Sequence, residues 1–416
     1  MRIRQETDME RLSQGGVTAP KGFKAASAAA GIKYQGRTDM AMVMSEAPCV
    51  CAGTYTSNVV KAACVLWDKE ITESGRPMQA VVVNSGIANA CTGEEGFNAC
   101  RKTAEAVTEA LGIPADTVAV ASTGVIGMQL PVEKLSAGVK MMAPELSDTI
   151  EAGTAASKAI MTTDTINKEI AVTFEAGGRK ITLGGMSKGS GMIHPNMCTM
   201  LGFLTTDLAI DKALLQEALS SVIKDTFNMI TVDGDTSTND TLLIMANGLA
   251  GNEKITGKGE DYDAFYSALE YVCTTLAKTM AGDGEGATKL FECKVVNAKT
   301  KDDARILSRA VVGSNLSKAA IYGCDANFGR FLCAMGYSGS SFDQNDVELF
   351  FESAAGRLQV FDHGVPLNFD EELAVKIMKE QEVTVFVDMH EGTESATAWG
   401  CDLTYDYVKI NADYRS

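Results

Sequence analysis

Histidine is almost missing from this sequence: His194, His363 and His390 are the only three in 416 residues. With so few, a Ser-His-Asp triad has no ready base. Basic side chains are also short, 37 Lys and Arg against 54 Asp and Glu, for a net charge of −17. Such a chain repels phosphate backbones and anionic membranes, so no nucleic-acid partner is expected. No run of 18 apolar residues exists to span a bilayer, and residues 1–8 carry no apolar stretch of the kind a secretory signal needs; a cytoplasmic protein is expected. The eleven cysteines include Cys49-Val50-Cys51 but no C-x-x-C pair, which argues against zinc. Cys64, Cys100, Cys273 and Cys333 stand in apolar company and read as buried thiols of a reducing compartment. Gly282-Asp283-Gly284-Glu285-Gly286 has neither dinucleotide spacing nor a P-loop ending, and its acidic pair would repel a phosphate. No cofactor and no metal are therefore expected.

What is present is 45% apolar content and a length beyond one typical core, so two lobes are expected. Residues 17–35 read as an irregular, small-residue entry segment, and Ala62–Trp67 and Gln79–Val83 as short strands. Phe97, Ala104, Val107 and Leu111 keep helical spacing up to Gly112, and Pro131 opens another helix. Residues 149–160 form an Ala-rich helix. Two alternating runs around Gly177-Gly178 make a hairpin that leads to the middle of the chain. Beyond it come helices at Lys212–Phe227, Tyr262–Met280 and Asp302–Val312, interleaved with strands. The fold class is mixed α/β, with helices layered over mixed sheets, and no repeat or low-complexity linker is evident.

The chain is organised around residues 184–207. Up to Cys198 the composition is that of a loose, glycine-rich loop; after Thr199 the residues become apolar and strand-like. A hydroxyl at Thr199 would be held rigidly on one side and approachable from the other. A plain turn entering a strand would look the same in composition.

The wording is more specific. Lys188-Gly189-Ser190-Gly191-Met192-Ile193, then Pro195-Asn196-Met197, then Thr199-Met200-Leu201 and Thr205-Thr206-Asp207 resembles the self-cleavage segment of the ornithine acetyltransferase family, also called bifunctional glutamate N-acetyltransferase/amino-acid acetyltransferase. The likeness covers nearly the whole chain. It implies a self-processing N-terminal-threonine fold, of the type shared with β-aminopeptidases. A precursor cut between Cys198 and Thr199 would give an alpha fragment, 1–198, and a beta fragment, 199–416, paired as α2β2. The freed Thr199 would carry nucleophile and base on one residue, because its α-amine, with an ordinary pKa of about 7.7–8, can take the hydroxyl proton.

The same resemblance assigns the other roles. Thr123 and Gly124, in Ser122-Thr123-Gly124-Val125-Ile126-Gly127, would form the oxyanion hole. Thr162 in Met161-Thr162-Thr163-Asp164-Thr165, Lys188, Thr199, Glu285, Asn411 and the last residue, Ser416, would bind substrate, Lys188 suiting a carboxylate and Glu285 an ammonium. His194 and Cys198 stand where the family commonly has alanine. The implied reaction passes acetyl from N2-acetyl-L-ornithine to L-glutamate in arginine biosynthesis, with acetyl-CoA as a further co-substrate in some members. Three rivals stay open: a β-peptide aminopeptidase or amidase of the same fold, an uncleaved amino-acid sensor, and a plain deacetylase.

Overall fold

Sixteen residues, Met40–Tyr55, form the longest strand and join the two halves of the larger sheet. The structure, a computed structural model, describes residues 9–194 and 200–413. The described chain divides into two compact units. The first takes the residues up to 189, 200–224 and 236–276; the second takes 190–194, 225–235 and everything from 277 onward.

In the first unit, strands β1 (Glu10–Arg11), β2 (Phe23–Ala28), β3 (Met40–Tyr55), β4 (Met78–Ile87), β5 (Val118–Val125), β6 (Lys168–Ala176), β7 (Arg179–Lys188), β8 (Leu201–Thr206) and β9 (Thr241–Ala246) make one sheet. Its order is β1-β6-β7-β8-β9-β3-β4-β5, with β2 also on β3. The register of β3 on β4 shifts between Met44 and Cys49; its first half pairs with β2 and β4, its second with β9. Helices α1 (Ala63–Glu73), α2 (Gly93–Leu111), α3 (Val132–Met142), α4 (Ile150–Ala159) and α5 (Lys212–Val222) cover it. Helix α4 packs on β2 and β3, and α1 on β5 and β3. Helix α2 ends where Gly112 turns left-handed, φ 73°, as a C-terminal glycine commonly does.

The second unit is built on a six-stranded sheet, β13-β12-β11-β14-β10-β15, from β10 (Leu290–Ala298), β11 (Glu348–Ser353), β12 (Gly356–Asp362), β13 (Val365–Pro366), β14 (Glu382–Asp388) and β15 (Glu394–Cys401). Helix α6 (Glu260–Gly282) supplies residues to both units, and α7 (Lys301–Gly313), α8 (Asn315–Tyr322), α9 (Phe328–Gly336), α10 (Glu371–Met378) and α11 (Tyr405–Ala412) belong to the second.

Four expectations need correcting. Ala62–Trp67 is not a strand but the start of α1, because Cys64, Val65, Asp68, Ile71 and Thr72 bury one helical face. The entry segment contains a regular strand, β2, whose alanines let α4 approach closely. Gly184 and Gly185 are not loop glycines: they lie inside β7, where a Cβ on Gly184 would sit 2.0 Å from the Gly16 carbonyl oxygen and one on Gly185 2.5 Å from Leu204 Cδ2. Their purpose is close packing, not looseness. The ten described cysteines are free thiols, and Cys333, expected buried, is exposed. No helix among the described residues is long and apolar enough to cross a membrane.

Candidate active site

Parallel pairing of β4 with β5 sets Ser85 opposite Thr123 and Gly86 opposite Gly124, with an irregular register at Gly86 and Ile87. Gly124 has φ +131°, and a Cβ there would lie 2.3 Å from the Gly86 carbonyl carbon and 2.7 Å from the Ile87 nitrogen. Only glycine fits. Gly124→Ala is accordingly expected to lower the melting temperature, because its Cβ would push the Gly86–Ile87 backbone away. A thermal melt beside the wild type checks this.

Three side chains from separate parts of the first unit meet at the end of β7. The Lys188 ammonium donates to Thr162 Oγ1 at 2.8 Å and to Thr123 Oγ1 at 3.2 Å. Lys188 is 8% exposed, so its charge needs an internal counterpart. Asp164 supplies it, 3.9 Å away through Oδ2. The other oxygen, Oδ1, accepts from the buried Lys168 ammonium at 2.8 Å and from the Gly189 backbone N–H at 2.7 Å, while the Thr162 N–H donates to Oδ2 at 3.0 Å. Burial opposes the Asp164 charge, yet Lys188 and Lys168 outweigh it and hold the carboxyl well below the usual range. Asp164 thus fixes two of the anticipated residues at once, Thr162 through its own backbone and Lys188 through charge. The sequence reading quoted Asp164 within its motif but gave it no role.

Asp240 is a second buried carboxyl that no sequence motif singles out. It precedes β9, where the Thr241 N–H donates to the Met200 carbonyl at 2.8 Å, so it neighbours the residue that follows Thr199. Burial pushes Asp240 well above the carboxylate range, although Ser237, Thr56, the Lys188 ammonium and the Met200 backbone favour its charge.

In the second unit, Glu285 is 6% exposed and accepts from Asn411 Nδ2 at 2.7 Å. Its backbone N–H donates to the Ser190 carbonyl at 2.8 Å. Gly191 makes room for it: a Cβ there would lie 2.3 Å from the Glu285 carboxyl carbon. Two of the anticipated substrate residues therefore touch one another, and Glu285 is tied to the segment upstream of Cys198 and Thr199.

That segment is clamped in the same unit. The Met192 and Ile193 N–H groups donate to Asp233 at 2.6 and 2.9 Å, and the Val232 N–H donates to the Ile193 carbonyl at 2.6 Å. His194 Nε2 lies 3.1 Å from Arg309 Nη2, and Nδ1 3.0 Å from Thr231 Oγ1. Guanidinium can only donate, so Nε2 accepts and the hydrogen on Nδ1 goes to Thr231. Burial, then Arg309, hold His194 below its ordinary pKa, with Asp233 opposing. A histidine whose folded pKa is depressed supports the fold fully above its unfolded value, about 6.5, and less as the pH falls below it. Amide exchange in residues 190–194 is expected to quicken, after intrinsic correction, between about pH 7.5 and pH 5.5. His194→Ala should remove the difference.

Cys198, Thr199 and Ser416 lie outside the described residues, so the cleavage point, the nucleophile and the terminal contact rest on sequence.

The ArgJ family profile matches residues 24–416. The arginine biosynthesis bifunctional protein of Symbiobacterium thermophilum is 54% identical over 410 residues, covering 98% of this chain and 100% of that relative. Its counterpart in Caldanaerobacter subterraneus subsp. tengcongensis is 50% identical over 405 residues, covering 97% and 100%. Among solved structures, the ornithine acetyltransferase of Mycobacterium tuberculosis in complex with ornithine is 44% identical, with 46% of this chain and 100% of that chain covered and a TM-score of 0.42.

Proposed function

The chain belongs to the ArgJ family, whose curated members are named for arginine biosynthesis, and from that premise we propose that it passes acetyl from N2-acetyl-L-ornithine to L-glutamate through an acetyl-threonine. The observation that carries the reading is the convergence of Thr123, Thr162 and Lys188, three residues singled out from sequence, on one ammonium.

Self-cleavage before Thr199 converts an amide nitrogen, which cannot act as a base, into an amine that can. That amine takes the Thr199 hydroxyl proton as Oγ attacks the acetyl carbonyl. The negative oxygen that develops is met by the Thr123 hydroxyl and the Gly124 N–H. Because Lys188 donates to Thr123 Oγ1, it polarises that hydroxyl and leaves its hydrogen for the oxyanion, a preorganised arrangement of the kind that contributes most in a dry site. The intermediate collapses, the Thr199 ammonium returns its proton to the leaving nitrogen, and ornithine departs. Glutamate then attacks the threonine ester by the reverse sequence. Glu285, Asn411, Thr162 and Ser416 are assigned to amino-acid recognition, Glu285 to the substrate ammonium. The reaction as written draws on no cofactor. Acetyl-CoA as a second donor suits the relatives' designation as bifunctional. We extend the reading to a cytoplasmic α2β2 assembly of fragments 1–198 and 199–416.

The test is intact mass with N-terminal sequencing, run beside an assay in which acetylornithine and glutamate are supplied together. Two fragments, the second beginning at Thr199, and stoichiometric acetylglutamate are expected. Full activity from one unbroken chain would overturn the mechanism; acetate and ornithine without acetylglutamate would identify a deacetylase instead.

A further inference from the structure

Two of the three histidines converge where neither the mechanism nor the family assignment uses them. On the second sheet, β12, β11 and β14 are adjacent, and their register puts Asp362 and Asp388 on either side of Glu348. Three carboxylates in one cross-strand row repel one another. Among the described residues, the only ion pairs these three make are to histidine, with no Lys or Arg. His363 follows Asp362 directly and His390 follows Asp388 by two, each with left-handed φ, 43° and 51°. The two imidazoles stack at 5.2 Å.

We propose that Glu348, Asp388 and His390, with Asp362 and His363 alongside, form a site for one divalent transition-metal ion of the zinc type. Two sets of three ligands meet the spacing, Glu348-Asp388-His390 and Glu348-Asp362-His363. Glu348 is common to both, and the proposal is for one ion per chain. Ligand atoms around tetrahedral zinc lie ~3.4 Å apart, given bonds of ~2.0–2.2 Å. Glu348 Oε2 and His390 Nε2 are 2.9 Å apart, and the ligand atoms of each set, one per residue, lie within 4.8 Å of one another. An ion between Glu348 and His390 therefore needs only a small outward adjustment of side chains that are partly exposed. Outer partners are in place: Asn297 Nδ2 donates to both oxygens of Asp388 at 2.9 Å, and Gln359 Nε2 to Glu348 Oε1 at 3.1 Å. Mixed imidazole and carboxylate ligands favour zinc, cobalt or nickel over magnesium, which prefers oxygen alone.

The experiment uses the full-length protein, stripped with chelator and titrated with Zn²⁺, Co²⁺ and Mg²⁺ by calorimetry. One Zn²⁺ per chain is expected, with affinity at least 10-fold weaker in Glu348→Gln and lost in a His363→Ala/His390→Ala double variant, while metal-free melting curves stay alike. Bound Co²⁺ should give visible d–d absorption without a thiolate charge-transfer band. Undiminished Zn²⁺ affinity in the double variant, a thiolate band, or no Zn²⁺ binding by the wild type would each overturn the assignment.

Discussion

Thr199→Ala is expected to purify as a single uncut chain and to lose acetyl transfer by ~10⁴-fold or more, the scale seen when a nucleophile and its base act as one unit. The size of the effect follows from the economy of the scheme. In a serine protease the nucleophile, base and orienting carboxylate are three residues; in the proposed scheme two of those functions fall on Thr199, and one of them would exist only after the backbone breaks. Removing the hydroxyl would, in that scheme, remove the cleavage, the base and the nucleophile together. Thr199→Ser should keep all three in kind and still yield two fragments, which separates loss of chemistry from loss of fold. Denaturing electrophoresis, intact mass and the coupled acetylornithine–glutamate assay read the outcome. Two fragments from the alanine variant would mean that a different group performs the scission. A silent but normally cleaved alanine variant would assign Thr199 to transfer alone.

What the sequence makes legible follows a physical pattern. Amphipathic surface helices such as α2 were legible because burial repeats every three to four residues. The hairpin of β6 and β7 was legible because Gly177 and Gly178 adopt the two positive φ angles, 57° and 66°, that its turn requires. Strand β3 was missed: it is rich in Met, Ala and Cys, and its buried positions do not alternate. Glycine in the central stretch misled for a related reason. Composition cannot distinguish a glycine that bends the chain from one that lets a neighbouring backbone approach, as Gly184 does against Gly16. At the site, residues carried by the family likeness are named one by one, but the burial and charged neighbours that single out Asp164 and Asp240 appear only when the strands are assembled. The His363–His390 pair is a similar case, separated by 26 intervening positions and joined by sheet register.

The largest stability effect is expected at Asp164. Lys168 has no exposed side-chain surface and Lys188 has 9%, and both ammonium groups face one carboxylate that is itself fully enclosed. Removing one partner of a buried pair leaves an uncompensated charge, at a cost of about 3–5 kcal/mol; with the second lysine present, Asp164→Asn should reach the upper part of that range. An amide can still accept a hydrogen bond from Gly189 or Thr162 but cannot balance charge, so the deficit isolates electrostatics from hydrogen bonding. Because the folded carboxyl is held below its unfolded pKa, its contribution is complete above roughly pH 4 and is lost only as the pH falls through the folded value. The stability gap between wild type and Asp164→Asn should therefore stay constant from about pH 8 to pH 5 and narrow only in stronger acid. Activity should fall as well, since Thr162 and Lys188 lose their common anchor, and mass spectrometry would tell whether cleavage is slowed too. Denaturant melts across that pH range supply the check: a gap under about 1 kcal/mol, or one that changes between pH 8 and pH 5, would mean that Asp164 is not the counter-charge on which the lysines depend.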